Sequence, residues 1–180
     1  VVERPASAVK ELVENAIDAG ARRISIDIAD GGKTLIRVTD DGAGMTDADL
    51  ELAVERHATS KLPDGNLFAI ATLGFRGEAL PSIGAVSRLM ITTRAKGTSH
   101  GTSILVDAGL KHPTRPAAIE RGTRVEVTDL FFATPARLKF LKADRTEAQS
   151  IADMLKRIAM AHPAIAITLE SDSGAGLTLP

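Results

Sequence analysis

Two runs of period two, divided by a glycine turn, constrain this chain more than any other feature in it. Ile24, Ile26 and Ile28 alternate with Arg23, Ser25 and Asp27, and after Asp30-Gly31-Gly32-Lys33 the alternation resumes through Ile36, Val38 and Asp40. Alternation puts every second side chain on one face, so the pair predicts a hairpin over 23–28 and 34–40 with one apolar face to cover. A cover stands just upstream. Over residues 5–19, Val9, Leu12, Val13, Ala16 and Ile17 share one side of a helical wheel, with Glu11, Asn15 and Asp18 opposite. Pro5 suits the first turn of that helix and Gly20 the position just past its end.

The rest of the chain continues the mixture. Thr46-Asp47-Ala48-Asp49 reads as a capping box opening a helix that turns Leu50, Ala53 and Val54 inward. Lys61 to Asn66, with Pro63, Asp64 and Gly65, reads as a loop, and a short helix is expected around 67–72. Another helix spans about 77–85, where Pro81 fits only in the first turn. Strands follow at 87–93, 102–107 and 123–127, with 95–101 the expected mobile tip. A helix over 146–161 carries Ile151, Met154, Leu155 and Ile158, and His162-Pro163 ends it before a hairpin over 164–170 and 177–179. Helices interspersed with antiparallel strands predict an α+β fold, a two-layer sandwich with a mixed, largely antiparallel sheet.

Composition excludes several kinds of chemistry. With no cysteine there is no disulfide, thiol nucleophile or cysteine zinc site, and His57, His100, His112 and His162 show no close pairing. The net charge of −1 gives no global attraction to nucleic acid. No run approaches the roughly 20 apolar residues that span a bilayer, so no membrane partner is expected. The first residues do not read as a signal peptide, and the lack of an initial Met is what a fragment would show.

The polar residues are more specific. Gly74-Phe75-Arg76-Gly77-Glu78 sets two glycines around an arginine just before an amphipathic run, where backbone amides can approach an anion closely. No G-x-x-x-x-G-K-[ST] string is present, so this is not a Walker-type loop. Glu11 and Asn15, four apart, project from one helix face. In most helices that would be a solvated face, yet Asn15 and Asp18 are poor mid-helix residues, each costing roughly half a kcal/mol against Ala. A carboxylate with an amide is also the pair needed beside a metal-bound triphosphate, the first to activate water and the second to ligate Mg²⁺. Glu14 lies about 60° off that face and is the weaker base candidate. Asp40 shares a strand face with Ile36 and Val38, which turns an acid toward the core and demands a donor there. From local sequence alone, a turn-starting Asp before Gly42 explains it equally well.

In their order, Glu11 to Asn15, Asp40 to Gly44, Thr59-Ser60-Lys61 and the GFRGEAL string resemble the nucleotide site shared by type II topoisomerases, ninety-kilodalton chaperones, sensor histidine kinases and MutL. GFRGEAL, with Phe132-Ala133-Thr134-Pro135-Ala136-Arg137, is similar to the MutL branch of mismatch repair proteins in particular. The resemblance implies ATP and Mg²⁺ as cofactors and slow hydrolysis. It makes Glu11 the base, Asn15 the Mg²⁺ ligand and Asp40 the acceptor for the adenine amino group. Gly42 and Gly44 would let backbone pass close to the base. Thr59, Ser60 and Lys61, with Gly74, Phe75, Arg76, Gly77 and Glu78, would meet the phosphates. Asp41 stands where that family usually has Asn.

The resemblance further implies self-association on ATP binding, a MutS-type recognition partner, and a cytoplasmic location in bacteria or a nuclear one in eukaryotes. Residues 1–160 would form the nucleotide domain and 161–180 the start of a second. It places a dimer-contact segment before Val1 and a phosphate-binding lysine beyond the end, so a binding module with little turnover is the rival reading. A DNA contact has only Arg137, Lys139, Lys142 and Arg145 behind it, and Phe140 and Leu141 among them suggest a helix packed on a core.

Overall fold

The computed structural model describes residues 2–55, 78–174 and 176–179. The first helix, α1 (Pro5–Asp18), begins with Pro5 in its first turn. Its end is a Schellman turn: Gly20 adopts φ 79°, its amide donates to the Ile17 carbonyl, and that of Ala21 reaches Ala16. Strand β1 (Arg23–Ala29), a 3₁₀ turn (Asp30–Gly32) and β2 (Leu35–Asp40) form the expected hairpin, with Ile24 opposite Asp40 and Ile28 opposite Ile36. Gly31 is required there, since at φ 69° its bare Cα lies against the backbone of Asp144.

Helix α2 (Asp47–Ala53) has the full reciprocal capping box, and Leu50 beneath it is completely buried. Then come α3 (Ala79–Ala85), β3 (Arg88–Arg94), β4 (Gly101–Asp107), the short β5 (Leu110–Lys111) and β6 (Arg115–Ala117), and β7 (Gly122–Thr128). Pro81 is the third residue of α3, where no amide is needed. The chain closes with α4 (Pro135–Lys139), α5 (Asp144–Ala161), β8 (Ala166–Ser171) and β9 (Leu177–Leu179). The expected helix at 67–72 lies outside the described residues.

Among the described residues the strands make one nine-stranded sheet, ordered β5-β4-β3-β7-β2-β1-β8-β9, with β6 paired to β4. Every pairing is antiparallel except β1 with β8, so the sheet is mixed and the class is α+β as expected. The sheet runs on across residue 160, because β8 hydrogen-bonds along β1 from Arg23–Ala166 to Ile28–Ser171.

One face of the sheet is the core. Ile24, Ile26, Ile36, Val38, Leu89, Ile91 and Val127 from the strands meet Val9, Leu12 and Val13 of α1 and Ile151 and Leu155 of α5, all buried. Each such side chain is worth about 1.5–3 kcal/mol on leaving water, which is what holds the helices down. The other face carries polar side chains: Arg37 bridges Asp27 at 3.8 Å and Glu126 at 3.2 Å. Phe140 corrects an expectation. It is 85% exposed rather than packed, because α4 ends at Lys139 and only Leu141 of the pair turns onto the core.

Candidate functional site

A small pocket opens where α1, the ends of β2 and β7, and α3 converge. Leu12 and Ala16 of α1, Ala19 just past its end, Val38 and Val125 of the strands, and Met45 and Leu80 give it apolar walls. Among the described residues its polar groups are Asn15 from α1, Asp40 from β2 and Thr123 from β7, and Gly44 also lines it. The strand register explains the floor, since Asp40 stands opposite Thr123 on the neighbouring strand.

Asp40 is the inward acid that its parity predicts. Burial pushes its pKa from 3.8 up to about 6; the Gly42 amide, donating to Oδ1 at 2.8 Å, pulls it down, and the charge of Asp41 pushes it up again. Asp41 itself points out of the site. Its Oδ1 accepts the backbone N–H groups of Arg22 at 2.8 Å and Arg23 at 3.0 Å. Desolvation is the largest single influence and raises its pKa, but the backbone donors of Arg23 and Arg22, its own amide and the nearby Arg23 charge together outweigh that, and the net shift is downward.

The glycines serve the protein's own packing. A side chain on Gly42 would collide with the Ala19 carbonyl and with the Asp40 carboxylate, and Gly44, at φ 71°, lies against the Arg94 carbonyl. The loop is pinned along its length: Ala43 N–H donates to Ala19 O at 2.9 Å, Lys96 N–H to Ala43 O at 3.2 Å, and Met45 N–H to Thr93 Oγ1 at 2.9 Å.

On α1 the picture is different. Asn15 Oδ1 is buried in the pocket with no hydrogen-bond partner among the described residues. An enclosed amide oxygen left so costs about 1–3 kcal/mol, and a hard, neutral oxygen of this kind suits a divalent cation such as Mg²⁺. Glu11 is half-buried one turn earlier, outside the pocket lining. Glu14 is drawn toward Lys10 at 3.9 Å.

The structure thus brings Asn15, Asp40 and Gly44 into one pocket, with Gly42 serving Asp40. Glu78 is the residue preceding α3, its carbonyl accepting the Ser82 amide at 2.8 Å, two positions before the pocket's Leu80. Thr59, Ser60, Lys61, Gly74, Phe75, Arg76 and Gly77 lie outside the described residues. Sequence reasoning missed Thr123, although the parity test that found Asp40 applies: Thr123, Val125 and Val127 share one strand face. In the basic stretch, Arg137 is committed inward, bonded to the Val2 carbonyl and stacked 4.6 Å from the Phe131 ring centroid.

Residues 3–129 match the family described as histidine kinase-, DNA gyrase B- and HSP90-like ATPase. DNA mismatch repair protein MutL of Rhodopseudomonas palustris (strain HaA2) is 65% identical over 178 residues, covering 99% of this chain and 30% of that protein. The chain belongs to this ATPase family, on its MutL branch. The MutL of Bradyrhizobium sp. (strain BTAi1 / ATCC BAA-1182) is likewise 65% identical, over 99% of this chain and 29% of its own length. The chain therefore spans about 30% of the length of these MutL relatives.

Among solved structures, the Aquifex aeolicus MutL ATPase domain complexed with ADP superposes with a TM-score of 0.81 at 35% identity, covering 99% of this chain and 64% of that one. A crystal structure of the ATPase domain from the same organism's mismatch repair endonuclease MutL gives 0.75 at 32% identity, over 100% and 62%. The α+β sandwich of this MutL-type chain is the fold of those domains. No helix among its described residues is long and apolar enough to cross a membrane.

Proposed function

We propose that this chain is the nucleotide-binding, Mg²⁺-dependent ATP-hydrolysing module of a MutL-type mismatch repair protein. One observation carries the reading: an apolar pocket whose polar groups are a buried carboxylate, a hydroxyl and an unpartnered amide oxygen. A purine is a flat apolar body with an amino edge, and it suits apolar walls around a fixed acceptor. Asp40, ionised above its raised pKa and steadied by the Gly42 amide, accepts from that amino group. The likeness to the ADP-bound Aquifex aeolicus MutL domain supports a nucleotide in this pocket.

Toward the phosphates, Asn15 Oδ1 is the atom that would hold Mg²⁺. Held there, Mg²⁺ would supply positive charge against the phosphates. Glu11 takes the proton from the attacking water, while Thr59, Ser60, Lys61 and the segment Gly74–Glu78 engage the phosphates. In the whole protein, slow turnover coupled to self-association passes mismatch recognition by a MutS-type partner on to strand nicking.

A second reading, binding with little hydrolysis, is favoured by the position of Glu11 outside the pocket lining. Calorimetric titration of the chain with ATP, with and without Mg²⁺, together with phosphate release, tests both. Mg²⁺-dependent binding with slow release supports the first, binding without release the second, and no binding overturns both.

A further inference from the structure

A row of polar side chains closes the core-facing side of four adjacent strands. Asp40 on β2 faces Thr123 on β7, Thr123 faces Thr93 on β3, and Thr93 faces Thr102 on β4. The three threonines are buried. Thr123 lines the pocket, whereas Thr93 stands behind it against the loop that carries Met45.

Among the described residues, Thr93 Oγ1 has three polar neighbours: Met45 N at 2.9 Å, Gly122 O at 3.1 Å and Thr123 Oγ1 at 2.9 Å. A hydroxyl has one proton and two lone pairs. The Met45 amide can only donate, so it takes one lone pair. The Gly122 carbonyl can only accept, so it takes the proton. What remains on Thr93 is a lone pair, and Thr123 must fill it by donating. Thr123 therefore spends its single proton away from the pocket and shows the pocket lone pairs alone.

We propose that Thr93 is a specificity-determining positioning residue: by saturating its own hydroxyl it fixes Thr123 as an acceptor, so that the floor selects a 6-amino over a 6-oxo purine nucleotide. The inference rests on the nucleotide reading above. A 6-amino group brings two N–H donors, which Asp40 and Thr123 accept directly or through a water. A 6-oxo group brings lone pairs against lone pairs and leaves desolvated acceptors unmatched. Without the Thr93 hydroxyl, the Thr123 proton is released and can turn toward the oxo oxygen.

The test is a titration of the parent chain, Thr93→Val and Thr93→Ser with ATP and with inosine triphosphate, each with Mg²⁺. The parent prefers ATP, Thr93→Val narrows the preference by about three- to tenfold, and Thr93→Ser keeps it. Equal weakening toward both nucleotides, or an unchanged ratio in Thr93→Val, overturns the proposal. Failure of the parent to bind ATP overturns the nucleotide reading instead, a distinct result. Should Thr93→Val not fold, NMR of the parent decides. A Thr123 hydroxyl proton correlated with the Thr93 side chain supports the assignment, and one directed at Asp40 refutes it.

Discussion

The two ends of the pocket are built on opposite principles. At the strand end, Asp40 receives the Gly42 amide, and the loop from Gly42 to Met45 is tied to Ala19, Lys96 and Thr93. At the helix end, Asn15 Oδ1 has no partner among the described residues, and Glu11 stands off the lining. A fold can complete a recognition surface by itself because donors and acceptors come from its own backbone. It cannot complete a metal and phosphate site, where the missing charge belongs to the ligand. The strand end should therefore govern affinity and base choice, and the helix end turnover.

The largest expected effect lies at the helix end. Glu11→Ala in the full-length protein should lower ATP hydrolysis by about 10²–10⁴-fold while ATP affinity stays within a few fold, since a general base makes little ground-state contact. Asn15→Ala should weaken Mg²⁺-dependent binding as well as turnover, because its oxygen is the enclosed ligand atom. Hydrolysis at the parent rate in Glu11→Ala would move the base elsewhere, with Glu14 next to test. Equal loss of nucleotide in both variants would erase the division of labour between Glu11 and Asn15 on this helix.

At the strand end, Asp40→Asn keeps the shape and removes the charged acceptor. Losing a charge-assisted hydrogen bond costs roughly 1.5–3 kcal/mol, so ATP affinity should fall at least about tenfold. Thermal stability should hold or rise, because a desolvated carboxylate is gone. Calorimetry and a melt on the same sample measure both; unchanged affinity removes Asp40 from the site.

How far the sequence foretold these residues depended on whether each broke a local rule. Asp40 and Asn15 did: an acid at core parity in a strand and an amide in mid-helix both go against propensity. Thr123 and Thr93 did not. Threonine is a good strand former, so a hydroxyl among alternating valines and isoleucines raises no alarm until a register sets it beside Asp40. The hairpins were legible because their partners are neighbours in the chain. The parallel docking of β8 on β1 joins residues more than 140 positions apart, and no local pattern encodes that choice. Phe140 misled through composition: an aromatic near a helix end reads as core, but α4 is a single short turn with no buried residue.

A smaller effect follows from the raised pKa of Asp40. The acceptor role needs the ionised form, so affinity is full above about pH 6 and is lost as pH falls through that value, by roughly tenfold at pH 5. Stability of the ligand-free fold runs the other way. Between 3.8 and about 6 the folded state holds a proton that the unfolded state has released, so this group's contribution improves as pH falls through that window. Titrations from pH 5 to 8 on the parent and on Asp40→Asn isolate the effect; a profile that survives the substitution belongs to another group.

The smallest effect probes whether the strand end is independent of the helix that follows it. Thr46 caps α2, accepting the Asp49 amide at 3.2 Å while the Asp49 carboxylate accepts the Thr46 amide at 3.4 Å. Thr46→Ala breaks the first of these and should cost about 1 kcal/mol of stability by denaturant titration. Met45, one residue earlier, is held by Thr93 rather than by the cap, and Gly44 is wedged against Arg94. The pocket should therefore not feel the frayed helix, and ATP affinity should stay within about twofold, as for independent sites. A tenfold loss of affinity would mean that the loop takes its position from α2 instead of from the strands. The strand end would then be no more self-sufficient than the helix end.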